Sequence, residues 1–300
     1  MEGFRVQQAG RNKEWNVMHN PYLITEPTCI SFSGGRTSAY MLYKILEAHD
    51  MSLPSDAIVC FANTGKEEEA TLKFVNDCSI NWNVPIVWVE YISIEPFFKV
   101  VTYETASRNG EPFEELIRFG PRRYLPNPMT RYCTVDLKIK TAQKYCFSIG
   151  WEEWDNLVGI RADEPRRVAK IRANPSDGNK GITRYMPLAD SLVTKHQVSK
   201  FWSENTFDLE LPNMNGITYH GNCDLCFLKK NQTIYSLIKE KPERAVWWAK
   251  METLIPNPTL AYGDKFRKDR PEYKNIAEYI DKQKTIFDPE EEDIACFCGD

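Results

Sequence analysis

The 300-residue chain is 42% hydrophobic and 12% aromatic, enough to bury the core of one α/β domain with an appended part, or of two small domains. Its formal net charge of −4 excludes a uniformly basic nucleic-acid binder, while leaving room for local basic patches. No apolar run approaches a membrane span and residues 1–20 lack a secretory apolar core, so a soluble, cytoplasmic protein without a membrane partner is expected, and its nine cysteines call for an explanation other than disulfides.

Residues 1–27 read as an irregular N-terminal arm. From 28 to 190 the hydrophobic pattern alternates in the α/β manner, with strands expected over 29–32, 57–62, 86–89 and 156–160 and helices over 39–48, 67–78 and 135–148. This pattern implies a doubly wound, mainly parallel sheet with helices on both faces. Ligands of such sheets gather beyond the carboxyl ends of the strands, where three motifs fall. Residues 94–131, rich in proline and arginine, read as a loop-rich lid, and 173–181 as a mobile polar loop. The remainder, 191–300, reads as a helical C-terminal part, with helices over 195–203, 232–239, 243–255 and 273–284.

The first motif is Ser33-Gly34-Gly35-Arg36-Thr37-Ser38, between the apolar run Thr28-Cys29-Ile30 and the helical pattern from Tyr40. Two glycines allow close backbone approach, N–H groups converge, and a helix N-terminus favours an anion, so the turn is built for phosphate. Hydroxyls of Ser33, Thr37 and Ser38 add donors and Arg36 a cation; a plain Gly-Gly turn with a helix cap is the alternative. The second motif, Asn63-Thr64-Gly65 followed by Lys66 and Glu67 to Glu69, reads as a nucleotide element or as an ordinary turn and cap. The third is Gly159-Ile160-Arg161, with Arg166, Arg167 and Arg172 forming either an anion-binding edge or a solvated face paired with Asp163 and Glu164. Arg118, Arg122, Arg123 and Arg131 make a second basic cluster, suited to closing over a nucleotide or meeting a polynucleotide backbone.

Cys223-Asp224-Leu225-Cys226 is a CxxC knuckle, the mark of metal or redox chemistry in a reducing compartment. Cys133 and the terminal Cys296 and Cys298 can complete a four-thiolate set, which satisfies zinc and iron–sulfur equally. Cys29, Cys60, Cys78 and Cys146 fall in strand or helix patterns and read as core thiols. Of the histidines, His220 alone lies beside the knuckle; His19, His49 and His196 read as surface or satisfied positions.

The first motif resembles the S-G-G-x-D-S loop of the PP-loop ATP pyrophosphatases, the adenine nucleotide alpha-hydrolases, with Thr37 where an Asp is common. In order along the chain, Asn63-Thr64-Gly65, Cys133-Thr134-Val135-Asp136-Leu137-Lys138-Ile139, Gly159-Ile160-Arg161 with Arg166 or Arg167, and Met186-Pro187-Leu188-Ala189-Asp190 resemble the phosphoadenosine phosphosulfate (PAPS) reductase family of that superfamily. The resemblance implies an adenine nucleotide alpha-hydrolase-like fold with a cysteine-ligated metal part at its C-terminal end. It places ATP or a sulfonucleotide on Ser33, Gly34, Gly35, Arg36, Thr37, Ser38, Asn63, Thr64 and Gly65, with Mg²⁺ offsetting phosphate charge near Glu67 or Glu68 and Arg161 and Arg166 in catalytic roles. Iron–sulfur adenylyl-sulfate reductases carry a paired cysteine where this chain has Tyr132-Cys133. A 4Fe-4S cluster on Cys133, Cys223 and Cys226, with Cys296 as fourth ligand, is therefore implied, and zinc is the alternative.

Retention of Ser-Gly-Gly points to ATP, attacked at its alpha-phosphate with loss of pyrophosphate in a sulfur transfer. Relatives of that type thiolate nucleic acids, tRNA bases and the DNA backbone among them, so a nucleic-acid acceptor and a sulfur- or electron-donor protein are the implied partners. One alternative is a sulfonucleotide reductase that releases sulfite, with Cys298, followed by Gly299, as nucleophile. The other is a non-catalytic nucleotide-binding module with structural zinc.

Overall fold

Six strands form one sheet in the computed structural model, which describes residues 20–176, 181–212, 218–221, 223–255, 259, 261 and 263–286. They are β1 (Thr28–Ser31), β2 (Ala57–Asn63), β3 (Ile86–Tyr91), β4 (Phe98–Val101), β5 (Trp154–Val158) and β6 (Ile182–Tyr185), in the spatial order β4-β3-β2-β1-β5-β6. All neighbours pair in parallel except β4, which closes the edge antiparallel to β3. Ser31 at the end of β1 lies opposite both Cys60 and Val158. The chain winds outward to one side from β1 through β3 and to the other side from β5, so the β1/β5 boundary is the topological switch point, where such sheets open a crevice.

Strand residues alternate between two faces. On one, Ile30, Val59, Phe61 and Leu157 pack with Leu42, Ile45 and Leu46 of α1 (Arg36–Ala48) and with Phe74 and Val75 of α2 (Glu69–Asn81). On the other, Cys29, Cys60, Val89 and Trp154 share a core with Cys146. The covering segment runs from the short α4 (Tyr132–Thr134) through a π-helical turn at Val135–Ile139 into α5 (Lys140–Ser148), one turn earlier than the periodicity predicts.

Residues 94–131, expected to be loop, hold β4 and α3 (Glu111–Phe119), whose Phe113, Leu116 and Ile117 are buried. Pro112 sits in the first turn of α3, where no amide partner is lost. β5 ends two residues before the expected boundary, which frees Gly159 and Ile160 for the crevice. After α6 (Pro165–Ala173), α7 (Pro187–Asp190) and α8 (Lys195–Glu204), the chain returns Leu209 and Leu211 to the α1/α2 core. A second large core joins α3, Tyr132 and Leu137 to α9 (Asn231–Glu240), α10 (Arg244–Glu252) and α11 (Tyr273–Ile286) around Trp248, Phe266 and Tyr273. Among the described residues no helix is long and apolar enough to cross a membrane.

Candidate functional site at the strand ends

The loop leaving β1 is fixed by its first glycine and left open at its second. Gly34 has φ +75°, and a Cβ there would stand 2.7 Å from Thr71 Cγ2 of α2 and 3.1 Å from Phe61, so only glycine fits. Gly35, the N-cap of α1, has φ −110°, and a Cβ would meet nothing closer than Ser33 Oγ at 3.8 Å. No side chain caps α1, so its first-turn amides have no side-chain acceptor at the cap. The Ser38 hydroxyl ties the turn: it accepts from Ser33 N (3.1 Å), lies 2.9 Å from Ser33 Oγ and donates to Gly35 O at 2.9 Å.

Gly159 completes the crevice from β5, since a Cβ there would lie 3.0 Å from Ser38 Cα. Two residues on, Arg161 donates from Nη1 to Thr37 Oγ1 (3.1 Å) and from Nε to Asp163 Oδ1 (2.8 Å). A guanidinium is thereby held over the start of α1. Arg166 is exposed on the first turn of α6, Arg167 pairs with Glu164 at 2.5 Å, and Arg172 pairs with Asp190 at 2.9 Å. Arg36 points away from the crevice partners expected for it. It grips Asp208 bidentately at 2.6 and 2.7 Å and donates to Leu209 O, while Trp202 Nε1 donates to its carbonyl. That arginine anchors the segment after α8 against α1.

At the end of β2, Asn63 is buried and donates to Glu90 Oε1 (2.6 Å) and Ser107 O (2.8 Å) while accepting from Gly65 N (3.0 Å). Glu90 is itself fully buried, held by Asn63, by the Ser107 amide and hydroxyl, and by Lys99 at 3.0 Å. Gly65, at φ +74°, lies against Gly110, whose backbone a Cβ would meet at 3.0 Å. Thr64 donates from its amide and hydroxyl to Glu67 Oε2, and Lys138 reaches Glu67 Oε1 at 3.2 Å. Glu68 pairs with Arg244 at 3.0 Å. Both acidic candidates for magnesium thus already have cationic partners.

The CxxC knuckle docks on this same turn. Cys223 bridges Glu67 along the backbone, Asp224 N donates to Lys66 O (2.8 Å), and Lys66 Nζ meets Asp224 Oδ2 at 2.9 Å in a buried ion pair. Thr64 Oγ1 lies 3.6 Å from Cys223 Sγ. Burial, and then the neighbouring Cys226, push the Cys133 thiol up to about 11. Burial likewise raises Cys223, with Glu67 adding to the rise and Lys138 opposing it, and burial raises Cys226. Burial works against the charge on Lys138, yet Glu67 and the Cys223 and Cys133 thiols outweigh it and hold its pKa above the ordinary lysine value. The three thiols therefore share one electrostatic neighbourhood around Lys138, and their soft donors suit iron–sulfur or zinc. Among the described residues no three His, Cys, Asp or Glu side chains are gathered as a metal group, and Cys296 and Cys298 lie outside those residues. His220 bonds Glu240 at 2.8 Å, and His49 accepts from the Ile24 amide.

Behind the β1–α1 loop, on the α5 face of the sheet, lies a cavity of about 270 Å³. Ser31 and Ser33 line it together with Cys29, Cys60 and Cys146, and Lys138, Gln143, Asn156, Arg167 and Arg184 bring polar groups to it. Sequence reasoning placed those thiols in the core, where they are, but gave no sign that they share a cavity. Nor did it single out Glu90, Gln143 or Asn156; a carboxylate closing the apolar run Ile86-Val87-Trp88-Val89 is the one signal that marks Glu90.

No protein-family model matches the chain. It is 28% identical over 222 residues to the uncharacterized nin region protein ORF290 of Escherichia phage lambda, an alignment spanning 71% of this chain and 69% of that protein. Among solved structures it is similar to phosphoadenylyl-sulfate (PAPS) reductase from Candida auris in a phosphate complex, at 17% identity and a TM-score of 0.42, covering 64% of this chain and 83% of that one. It is also similar to the U34-tRNA thiolase NcsA from Methanococcus maripaludis with its [4Fe-4S] cluster, at 14% identity and a TM-score of 0.38, covering 92% of this chain and 77% of that one.

Proposed function

We propose that this chain is a PP-loop enzyme of the PAPS reductase kind, binding an adenine nucleotide at the β1/β5 crevice and, with ATP, displacing pyrophosphate by attack at the alpha-phosphate. The observation that carries the reading is the junction at the switch point, where Gly159 lies against Ser38 and Arg161 donates to Thr37 at 3.1 Å. Phosphate sits against the open backbone at Gly35 and the first turn of α1, where N–H groups and the helix dipole favour an anion. Ser33 and Ser38 hold that turn in shape and exchange their mutual hydrogen bond for phosphate oxygens. In the reaction an acceptor oxygen forms a bond to the alpha-phosphorus while the bond to the bridging oxygen breaks. Pyrophosphate leaves with that electron pair, and Arg161 offsets the charge that develops over the start of α1.

Cys133, Cys223 and Cys226 are the residues that would hold a 4Fe-4S cluster or zinc, with Cys296 as the proposed fourth ligand. Such a centre supplies a soft Lewis acid beside the nucleotide for handling sulfur. Thr64 and Lys66 fasten the knuckle to the nucleotide turn, and Lys138 neutralises thiolate charge there. The sulfur acceptor proposed is a nucleic acid.

Anaerobically prepared protein tests the reading when assayed for iron, zinc and pyrophosphate release from ATP, beside reductant-dependent sulfite release from adenylyl sulfate and its 3′-phosphorylated form. Pyrophosphate release that disappears in Arg161→Ala is the expected result. Sulfite release without pyrophosphate release would replace the reading with a sulfonucleotide reductase. Absence of any nucleotide binding would overturn it.

A further inference from the structure

We propose that the acidic C-terminal tail of this chain docks on the basic strip made by residues 118–144, with Glu290-Glu291-Glu292-Asp293 meeting Arg123, Arg131, Lys140 and Lys144. Docking by itself is independent of the proposed function. Only the further step, in which the docked tail carries Cys296 to the other thiols, rests on that reading.

Charge is segregated along the chain. Residues 118–144 carry seven Lys and Arg against one acid, Asp136, in a protein whose formal net charge is −4. Residues 287–300, which lie outside the described residues, carry six Asp and Glu and no Lys or Arg. Asp136 draws the strip together, since Arg122 and Lys140 both pair with it and Arg122 also covers the Tyr132 ring. Lys144 follows Lys140 one turn along α5, and its pKa is lowered, by burial and then by Lys140, as crowded cations require. Arg118 and Lys138 find carboxylates outside the strip, on Glu114 and Glu67. Arg123 and Arg131 are exposed and have no carboxylate partner among the described residues. The strip therefore holds a cationic excess that a run of carboxylates neutralises.

The tail is long enough. Tyr273, the first residue of α11, donates its hydroxyl to Leu225 O inside the knuckle at 2.6 Å, and Ile276 and Ile280 share a core with Tyr132 and Leu137 of the strip. From Tyr273 to Ile286 the helix rises about 20 Å. An extended chain from Ile286 spans about 23 Å by Asp293 and about 33 Å by Cys296, so the acidic run can double back to the strip and Cys296 to the knuckle. Arg131 and Lys138 both oppose the rise of the Cys226 pKa, which puts cations of the strip beside the thiols. A tethered segment acts at an effective concentration in the millimolar range, so ion pairs that are weak singly suffice, whereas a polynucleotide must compete from solution.

Carbodiimide cross-linking of the full chain, which joins a carboxylate to an amine without a spacer, tests this when the products are mapped by peptide mass spectrometry. Links from Glu290–Asp293 to Lys140 or Lys144 are expected, within one chain in a mixture of isotope-labelled and unlabelled protein. Their yield should fall about fivefold in 1 M NaCl, where the Debye length shrinks to about 3 Å, and about as far in Arg123→Glu/Arg131→Glu. Should charge reversal disturb folding, Arg123→Gln/Arg131→Gln makes the same comparison in smaller steps. Tail links only to lysines elsewhere, links mainly between chains, or a yield unchanged in folded variants overturns the proposal. Protection of Lys140 and Lys144 from acetylation by an oligothymidylate, with no tail link formed, gives the strip to a polynucleotide and overturns it too. Full metal content in Cys296→Ser removes the ligand step and leaves docking standing. Tail links in protein that binds no nucleotide support docking and overturn the proposed function alone.

Discussion

The two faces of the sheet are built to opposite specifications although they are made by the same strands. Ile30, Val59 and Phe61 point into a core of large side chains under α1 and α2, while their immediate neighbours Cys29, Cys60 and Ala62 line the cavity under α5. β1 and β2 thus alternate bulky and small residues, whereas β5 turns Trp154 toward the cavity. The consequence is mechanical: Gly34 is pressed against Phe61, Thr71 and Val75 of the filled face, so the β1–α1 loop stands on close-packed material. The thin face leaves room for a ligand beside that fixed loop. Rigid support on one side and free volume on the other is the arrangement a preformed site requires.

The largest test of this difference removes bulk from each face in turn. Phe61→Ala empties a fully packed position and should destabilise the protein by about 4 kcal/mol, whereas Cys60→Ala, one residue away, deletes one small group from a wall already facing space and should cost about 1 kcal/mol. Urea unfolding measures both. Equal losses would mean that the two faces are packed alike.

The two glycines give the next test. Gly34→Ala introduces a Cβ 2.7 Å from Thr71 Cγ2 at a positive φ and should lower stability by about 3 kcal/mol, with loss of nucleotide binding. Gly35→Ala, whose Cβ makes only an ordinary contact with Ser33 Oγ at 3.8 Å, should change stability by less than about 0.5 kcal/mol, and any loss of pyrophosphate affinity then reports the backbone approach of phosphate. Melting and pyrophosphate titration of the two variants separate support from contact. A Gly34→Ala protein as stable as wild type would remove the claim that the loop leans on the filled face.

What the sequence made legible follows from how local each feature is. The parallel sheet, its β1-loop-α1 turn and the Asn63-Thr64-Gly65 element can be read because apolar runs, glycines and hydroxyls lie within a few residues of one another. β4 and α3 were hidden by prolines that read as loop, and four-residue β6 is too short to carry a period. The ion pair of Arg36 with Asp208 has no local signal, because its partner lies 172 residues away in the chain. Glu90 gains meaning only when Asn63 and Ser107 converge on it from separate elements. The thiols near Lys138 and those lining the cavity separate into two groups only through strand register and the placement of α5.

The smallest expected effect is kinetic and uses those thiols as reporters. Cys78 lies on α2 in the filled face, and burial raises its pKa. Cys146 is raised as well, first by its hydrogen bond with Cys29 and then by burial, so neither thiol is reactive by thiolate content. Both are fully buried, and access alone distinguishes them: Cys146 lines the cavity together with Cys29 and Cys60, while Cys78 lines none of it. A small methylthiolating reagent at pH 8, followed peptide by peptide with mass spectrometry, should mark the cavity thiols about tenfold faster than Cys78, and the contrast should vanish in urea. In metal-free protein Cys133, less buried than these and raised only to about 11, should react faster than either group, its rate climbing about tenfold per pH unit below that value as thiolate forms. Equal native rates for Cys78 and the cavity thiols would show that the thin face opens no faster than the filled one, and the contrast between the two faces would then be one of packing volume without access.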